Sequence, residues 1–483
     1  NADPDASAAA TAGIVAGGGV TIQATNSGVV LAAAVAGAEA AKPAAAKGSQ
    51  PAVGYLEPVA PADALDSQGK HSWTGGTNVG SSSGDPNYDF YAAPAAPAQP
   101  AAGKSSAGSK PFLGSVGVAA SYAHNTVAGT AKAWIDHAAV KAGGISLVAE
   151  SGTTVEAAAI GGALAGGSAK NYAIAGALST NYVDNDTEAF IKNCPEIGGE
   201  AAISSAGNIT INATDSSMVM AQAGSLAASW GNDTQKLQSS TSVGLSIAVN
   251  LIGNKSGSKV LATIDNSTVA AGGAIEVAAK TADTGQIWSL AVSGAGSKVT
   301  ASRPNADNRD VAEEGGLVGI FSGAGAGAFA WNSVETVIHA GITGSVVTAD
   351  GQRTVAPGSA AADAISVTAQ DLTDLIGAYA FGIAAAYSQM NVQDNEATSF
   401  AVGIGIAGNT VSNSVSAQID QKSSVTASGM GPDTGISLQA KESASVSALG
   451  IGLTAAIATA TVKVKSLSGY SLAGSLAWNA IDN

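Results

Sequence analysis

The sequence predicts an all-β fold, a parallel β-helix (β-solenoid) built from degenerate repeats of about 56 to 90 residues. Two recurrent strand patterns and a composition dominated by small residues indicate this fold. Hydrophobic residues make up 46% of the chain, aromatic residues only 5% and charged residues 12%, and 61 of the 483 residues are glycine. Because such a chain has few large side chains to fill a wide core, it favours a thin core between closely stacked backbone layers.

The first pattern is five residues long. It consists of Ile or Val, any residue, a second branched apolar residue, any residue, and Ala. This alternation has the period of a strand with one buried face. The pattern occurs at residues 20–24, 145–149, 209–213, 275–279, 365–369 and 436–440.

The second pattern precedes most of these strands. Alternating small and apolar residues lead to an Asn, and a strand that ends Ala-x-Ile-Asp, or a near variant, follows it. The strand ends lie at residues 133–136, 189–192, 262–265, 336–339 and 417–420. The recurrent Asn residues are Asn125, Asn181, Asn250, Asn332, Asn409 and Asn479.

Each repeat is predicted to supply strands of about five to eight residues, separated by Gly, Asn, Asp and Ser turns. Two or three coils of about 18 to 28 residues would then make one repeat. The recurrent Asn residues are predicted to lie at coil corners, where side-chain amides can form hydrogen bonds from coil to coil. The alternative is a row of small β-sandwiches, each one repeat long, although so short a unit makes a poor independent core.

The spacing of the patterns divides the chain into three parts. Residues 1–36 are predicted to form a first solenoid repeat, and residues 37–111 a Pro/Ala/Ser-rich insertion. Residues 112–483 are predicted to form a continuous solenoid of about five repeats, the last one incomplete. The insertion carries Tyr55, His71, Trp73, Tyr88 and Phe90, so we expect part of it to pack on the solenoid or to present a contact surface.

In these two patterns the chain resembles the very large repeat-containing bacterial exoproteins, including the leukotoxin-type filamentous adhesins. The likeness covers nearly the whole chain except residues 37–111 and is specific for architecture only. It implies export, a cell-surface or extracellular position, and a role in adhesion, a sheath or a fibre. It brings no catalytic residues to this chain.

Charge and composition exclude several classes of function. The formal net charge is −15, and no cluster of Lys and Arg is present to contact phosphates, so nucleic-acid binding is not expected. Cys194 is the only cysteine and is predicted to be a small buried apolar residue. The uncharged runs at residues 315–332 and 443–462 are rich in small residues, and we predict strands there and no transmembrane segment.

Two acidic clusters could bind Ca²⁺, which takes six to eight oxygen ligands. The first contains Asp184, Asp186 and Glu188, and the second contains Asp307 and Asp310. Neither cluster matches an EF-hand loop. No other cofactor is expected.

We therefore expect a structural or adhesive extracellular surface protein without catalytic activity. It would bind partners through solenoid faces and insertion loops, by self-association or by cell-surface and glycan contacts. The alternative is a polysaccharide-processing β-helix enzyme, which needs clustered acids on neighbouring coils. The recurrent acids Asp136, Asp265 and Asp420 occupy equivalent positions of their repeats, which indicates turn chemistry.

Overall fold

The computed structural model describes residues 13–41, 63–65, 71–73, 115–167, 170–233, 239–253, 257–302, 319–351, 364–393, 395–428 and 435–482. The chain divides into two compact units, Asn1–Lys42 with Gly114–Asn483, and Pro43–Leu113. In the second unit, β3 (Asp63–Leu65) pairs antiparallel with β4 (His71–Trp73). The first unit is the solenoid.

The solenoid consists of three parallel sheets, named here in the order in which the chain passes through them. Sheet 1 contains β5 (Ser115–Asp136), β8 (Asn171–Lys192), β12 (Ser239–Ile252), β13 (Ser258–Asp265), β17 (Ile320–Val334), β18 (Thr336–Thr343), β22 (Glu396–Val411), β23 (Ser414–Asp420) and β27 (Ser466–Ile481). Sheet 2 contains β1 (Gly13–Val15), β6 (Ala139–Ala142), β9 (Ile203–Ser205), β14 (Thr268–Ala271), β19 (Val346–Ala349) and β24 (Ser424–Ala427). Sheet 3 contains β2 (Gly19–Ala41), β7 (Gly144–Gly167), β10 (Ile209–Asp215), β11 (Met218–Asp233), β15 (Ile275–Thr281), β16 (Gln286–Ser302), β20 (Ile365–Asp371), β21 (Leu375–Asn391), β25 (Ile436–Glu442) and β26 (Val446–Ala460).

The parallel β-helix predicted from the repeats is confirmed. Equivalent strands of successive repeats pair in register, so that Ile145, Ile209 and Ile275 lie side by side in sheet 3. The alternative of separate sandwiches is wrong, because the sheets run without a break from repeat to repeat. The apolar runs around residues 320–332 and 446–460 are strands β17 and β26, as expected. No helix in the described part of the chain is long and apolar enough to span a membrane.

One repeat forms one coil, and the prediction of two or three short coils per repeat is wrong. Asn125 pairs directly with Asn181, which is 56 residues further on, and Asn250 with Asn332, which is 82 residues further on. A single pass through β5, β6 and β7 uses a whole repeat because β5 has 22 residues and β7 has 24. Strand β2 likewise continues through Gly37 to Ala41, beyond the boundary predicted at residue 36.

Sheets 1 and 3 face each other, and their strands run in opposite directions. The Ser115 hydroxyl donates to the Gly166 carbonyl oxygen at 3.0 Å, and Asn125 Nδ2 donates to the Glu156 carbonyl oxygen at 2.7 Å. Residue numbers therefore rise along sheet 1 as they fall along the facing strand of sheet 3. Sheet 2 closes one edge of this pair.

The part of each coil next to sheet 2, here called the isoleucine half, has an aliphatic core. The five-residue pattern and the Ala-x-Ile-Asp strand ends direct their branched residues into it. Fully buried members include Leu147, Ile191, Ile203, Ile211 and Ile264. Complete burial of one such side chain contributes about 1.5–3 kcal/mol, so the regular repetition of Ile supplies much of the stability of each coil.

A ladder of left-handed residues turns the chain from sheet 1 toward sheet 2. His137, Asn193, Asn266 and Gln421 have positive φ, between 45° and 53°, and Gly344 has φ 56° at the equivalent position. Asn tolerates this conformation better than most residues, and Gly adopts it freely. The turn role expected for Asp136 and the residue after it agrees with this geometry.

The rest of each coil, here called the alanine half, has an interior of small residues. Sheets 1 and 3 are so close that a Cβ on Gly244 would lie 2.5 Å from the Gly294 carbonyl oxygen, and one on Gly450 would lie 2.5 Å from that of Leu476. Buried serines form hydrogen bonds across the gap, as Ser246 does to the Val292 carbonyl oxygen at 2.7 Å. Gly and Ser therefore lie inside strands here, where the sequence pattern had indicated turns.

The recurrent Asn residues lie within sheet 1 strands, inside the alanine half, and not at coil corners. Each Nδ2 donates to the Oδ1 of the next Asn, at 2.8–2.9 Å along the whole series. From Asn125 to Asn409, each Nδ2 also donates to a carbonyl oxygen of the facing sheet, at 2.6–2.8 Å. This ladder ties neighbouring coils together and joins sheet 1 to sheet 3.

Replacement of Asn250 by Ala should destabilise the solenoid strongly. It removes the acceptor for Asn181 and leaves the Trp288 carbonyl oxygen without its side-chain donor, and each unsatisfied buried group costs about 1–3 kcal/mol. The midpoint of urea unfolding, followed by circular dichroism, should fall clearly relative to the wild type. Thr210→Ala, on the outer side of β10, is the control and should leave the midpoint nearly unchanged.

Replacement of Gly244 by Ala should force sheets 1 and 3 apart and cost about 1–3 kcal/mol, since the new methyl group has no room against Gly294. Gly224→Ala is the matched control, because a Cβ there would meet nothing within 4 Å. Urea unfolding of both variants measures the difference. Equal midpoints for the two variants would contradict the close approach of the sheets.

Candidate functional site

The outer surface of the alanine half is apolar, because most of its interior accepts only small side chains. Along each strand the small residues point inward, so the large apolar residues that alternate with them point outward. In β12, for example, Ser242 and Ser246 are buried, whereas Val243 and Leu245 are 42% and 49% exposed. In this half the large apolar side chains therefore lie outside, and small residues, mostly Ala, lie inside.

Apolar face 1 is the outer side of sheet 1 in the alanine half. It covers the outward positions between residues 116 and 126 of β5 and their partners in the five following strands. None of these positions carries Asp, Glu, Lys or Arg. Its large apolar residues are Val116, Val118, Tyr122, Tyr172, Ile174, Leu178, Tyr182, Val243, Leu245, Ile247, Val249, Leu251, Phe329, Trp331, Phe400, Val402, Ile404, Ile406, Tyr470, Leu472, Leu476 and Trp478.

Aromatic side chains pack against one another on apolar face 1. The rings of Trp331 and Trp478 meet edge to face with centroids 4.8 Å apart. They come from strands separated by β22, and Gly408 lies beneath them, where a Cβ would meet both indoles. His124 similarly lies between Tyr122 and Tyr182, at 5.8 Å and 5.2 Å. These contacts pack the aromatic rings against one another on apolar face 1.

Apolar face 2 is the outer side of sheet 3 in the alanine half, from residue 29 of β2 onward. Glu39, Glu156 and Lys298 are its charged residues in the described strands, and Lys298 lies 5.8 Å from the centroid of the Tyr387 ring. Its large apolar residues are Val29, Leu31, Val35, Ile160, Leu164, Met218, Met220, Leu226, Trp230, Trp288, Leu290, Val292, Leu375, Tyr379, Phe381, Ile383, Tyr387, Leu449, Ile451, Leu453 and Ile457.

Each face is large for a soluble monomer. Ten residue steps along a strand span about 33 Å and five strand spacings about 24 Å, which gives an area of about 800 Å² per face. The largest apolar patch on a typical monomer is about 300–600 Å², and one partner in a standard protein interface buries about 800 Å². Each face therefore has the size of a complete interface.

The outer surface of the isoleucine half is polar in contrast. Its outward positions carry mainly Thr, Ser, Gln, Lys, Asp and Glu, and Lys132 forms an ion pair with Glu188 at 3.1 Å. The change from polar to apolar occurs within single strands such as β5 and β7. The boundary between the two surfaces therefore runs from strand to strand and divides each sheet into a polar stripe and an apolar stripe.

The acidic residues expected to bind calcium do not form a ligand cluster. Asp184, Asp186 and Glu188 lie in β8 and not in a loop, so successive outward side chains are spaced along an extended strand and cannot converge on one ion. This expectation is therefore wrong for the first cluster. The second, with Asp307 and Asp310, lies outside the described residues. The described residues contain no group of three or more His, Cys, Asp or Glu side chains that could hold a metal ion.

The recurrent acids Asp136, Asp265 and Asp420 end the sheet 1 strands next to the left-handed turns. Asn193 Nδ2 donates to Asp136 Oδ1 at 3.2 Å, and Lys192 forms an ion pair with Asp265 at 3.4 Å. These contacts link one coil to the next, in keeping with a role in the turns.

Cys194 is buried, with 1% of its surface exposed, and its Sγ donates to the Lys192 carbonyl oxygen at 3.2 Å. Burial raises the pKa of the Cys194 thiol. His339 is half-buried, Nδ1 lies 2.8 Å from Ser416 Oγ, and burial lowers its pKa.

The two apolar faces were not predicted from the sequence. The alternation of small with large apolar residues was visible, for example in residues 378–384 (AYAFGIA), but it does not by itself reveal which set points inward. The signal that could have found them is the polar ladder. Ser179 and Asn181 alternate in phase with the small residues of β8, so they lie on the same side of the strand. Both are buried and form hydrogen bonds to the facing sheet.

Comparison with protein-family models, curated proteins and solved structures finds no match to this chain.

The Cys194 thiol should react slowly with a thiol reagent such as DTNB at pH 8. Its raised pKa lowers the thiolate fraction, and burial excludes the reagent. Absorbance measurements should show slow labelling of the native protein and rapid labelling in guanidinium chloride. Rapid native labelling would mean that the coil around Cys194 opens readily.

Proposed function

We propose that the protein is a non-catalytic structural protein of the cell surface or extracellular space. It associates side by side with further copies of itself through apolar faces 1 and 2. The observation that carries this proposal is the pair of faces, each of about 800 Å², that the solenoid leaves exposed to solvent. The resemblance of its repeats to bacterial surface exoproteins supports the location.

The two faces point in opposite directions, because sheets 1 and 3 pack inner side to inner side. Each face pairs with the same face of another copy, so a copy that buries face 1 against face 1 of a second copy still exposes face 2. Association through both faces therefore continues beyond a dimer and produces layered assemblies. This arrangement suits a sheath or fibre, in which each solenoid adds thickness to the structure.

A second copy fits these faces better than a polar partner does. Face 1 has no charged residue at its outward positions to pair with a charged ligand, and its flat rows of Val, Leu and Ile repeat at the same strand spacing in every copy. Burial of apolar surface provides the driving force, at about 25 cal/mol per Å². Contacts with glycans or host surfaces would then be left to the polar outer surface and the insertions.

Two glutamates placed in each face should show how much that face contributes to the association. Val243→Glu with Leu245→Glu disrupts face 1, and Val292→Glu with Ile383→Glu disrupts face 2. Sedimentation velocity over a range of concentrations should show large assemblies for the wild type and dimers for either double variant. The combined variant should be monomeric. Each double variant should weaken its own contact about tenfold or more, since buried charges at the centre of an interface are costly.

Thr210→Glu with Thr214→Glu adds the same charge to the polar outer surface of the isoleucine half and should assemble as the wild type does. Circular dichroism should confirm that all variants keep their β-sheet content. A wild-type protein that stays monomeric at tens of micromolar would refute the proposal. A monomer that floats with neutral phosphatidylcholine vesicles, in a manner abolished by the face variants, would show that the faces bind lipid instead.

A further inference from the structure

The polar outer surface of sheet 1 in the isoleucine half carries a pair of aromatic side chains. Trp134 of β5 and Phe190 of β8 are direct neighbours at outward positions, and Trp134 is 52% exposed. The two rings are nearly parallel, with an interplanar angle of 14° and centroids 6.2 Å apart. At this distance parallel rings overlap only in part, so part of a ring face stays open to solvent.

A third ring lies further along the same row. Thr263 of β13 is the partner of Phe190, and Gly341 of β18 is the partner of Thr263. A Cβ on Gly341 would lie 2.6 Å from Nε2 of His339, so the imidazole extends over the glycine and into the row. His339 Nδ1 lies 2.8 Å from Ser416 Oγ, a contact that holds the ring in this orientation. The three rings therefore follow one another along the solenoid axis.

Ion pairs border this row on both sides. Lys132 pairs with Glu188 at 3.1 Å on one side, and Lys192 pairs with Asp265 at 3.4 Å on the other. Each of these residues is two positions along its strand from a member of the row, a distance of about 7 Å. Their partly exposed side chains offer ammonium donors and carboxylate acceptors next to the rings.

This arrangement combines the two kinds of group that bind a sugar ring. A pyranose has C–H groups on its faces and hydroxyl groups around its rim. The C–H groups pack on aromatic rings, whose faces carry partial negative charge. The hydroxyl groups form charge-assisted hydrogen bonds with ionised side chains. Neighbouring strands are about 4.8 Å apart, which is close to the length of one sugar residue in an extended β-1,4-linked glycan.

We propose that Trp134, Phe190 and His339, here called the ring row, bind a neutral, extended glycan that lies along the solenoid axis. A β-1,4-linked chain of glucose or N-acetylglucosamine fits best, because its hydroxyl groups are equatorial and leave both faces of each sugar open. The lysines beside the row are paired with carboxylates, and Asp136 adds a further negative charge, so an acidic glycan is repelled. The ring row lies outside apolar faces 1 and 2, and the proposal does not depend on association through them.

Isothermal titration calorimetry of the full chain with cellohexaose and with chitohexaose tests the proposal. At least one of the two should bind, with a Kd of about 10 μM to 1 mM and one site per chain. Maltohexaose, whose α-linked chain is coiled, and the acidic hexamer of galacturonic acid should each bind about tenfold more weakly or not at all. The stronger of the two β-linked ligands shows whether the site prefers the hydroxyl or the N-acetyl group.

Trp134→Leu should lower the affinity about tenfold, because Leu still covers Phe190 but offers no ring face to the sugar. Trp134→Tyr keeps a ring and should retain most of the affinity, which a merely structural role of Trp134 would not predict. Trp230→Leu removes an exposed indole from apolar face 2 and is the matched control, which should bind as the wild type does. Circular dichroism should show the same β-sheet content for all three variants.

Three results would overturn the proposal. The wild type could bind neither β-linked hexasaccharide, it could bind the acidic hexamer as tightly, or Trp134→Leu combined with Phe190→Leu could keep the full affinity. Should the Trp134 variants fail to fold, His339→Ala tests the other end of the row and should weaken binding of the hexasaccharides. Sedimentation velocity of the same variants should match the wild type, which separates loss of glycan binding from loss of association through the apolar faces.

Discussion

The contact between sheets 1 and 3 in the alanine half is the constraint on which the rest of the structure depends. Over most of this half the two sheets meet through little more than backbone, so inward positions carry mainly Gly, Ala, Ser and Asn, and Val299, Ile320 and Met390 are buried only at its far end. Backbone carbonyl groups on the facing sheet then need donors from these short side chains. The serines and the Asn ladder supply them. A core of this kind gains little from burial of large apolar groups and depends on hydrogen bonds and close packing.

This constraint also explains the division of each coil into two halves. Where sheet 2 holds sheets 1 and 3 apart, the interior is wide enough for Ile, Leu and Val, and the outer surface is polar in the normal way. Where the sheets touch, bulky residues fit only on the outside. The stretches that hold large apolar side chains inside the solenoid therefore differ from the stretches of the same strands that carry them on the outer surface. Asp215 and Asp371, the last residues of β10 and β20, lie at the boundary between the two stretches.

Part of this architecture could be predicted from the sequence, and the rest could not for identifiable reasons. The five-residue pattern predicted which residues stack, because branched apolar residues that alternate with polar ones have a strand period and recur with the repeat. Strand length was underestimated because Gly, Ser and Asn, which usually mark turns, here occupy inward positions of long strands. The Asn residues were placed at corners for the same reason. The apolar faces depend on the distance between two sheets, and no local pattern encodes that distance.

The left-handed turns after sheet 1 keep their geometry whether Asn, His, Gln or Gly occupies them, while the connections at the far ends of the coils differ widely in length. Asn125 and Asn181 are 56 residues apart and Asn250 and Asn332 are 82 apart, yet both pairs align in the same way. The strands of the solenoid thus keep their pairing register when the connections between them differ in length. A peptide inserted between Ser302 and Ile320 would lengthen one of these connections and should leave the pairing of β16 and β17 with their neighbours unchanged.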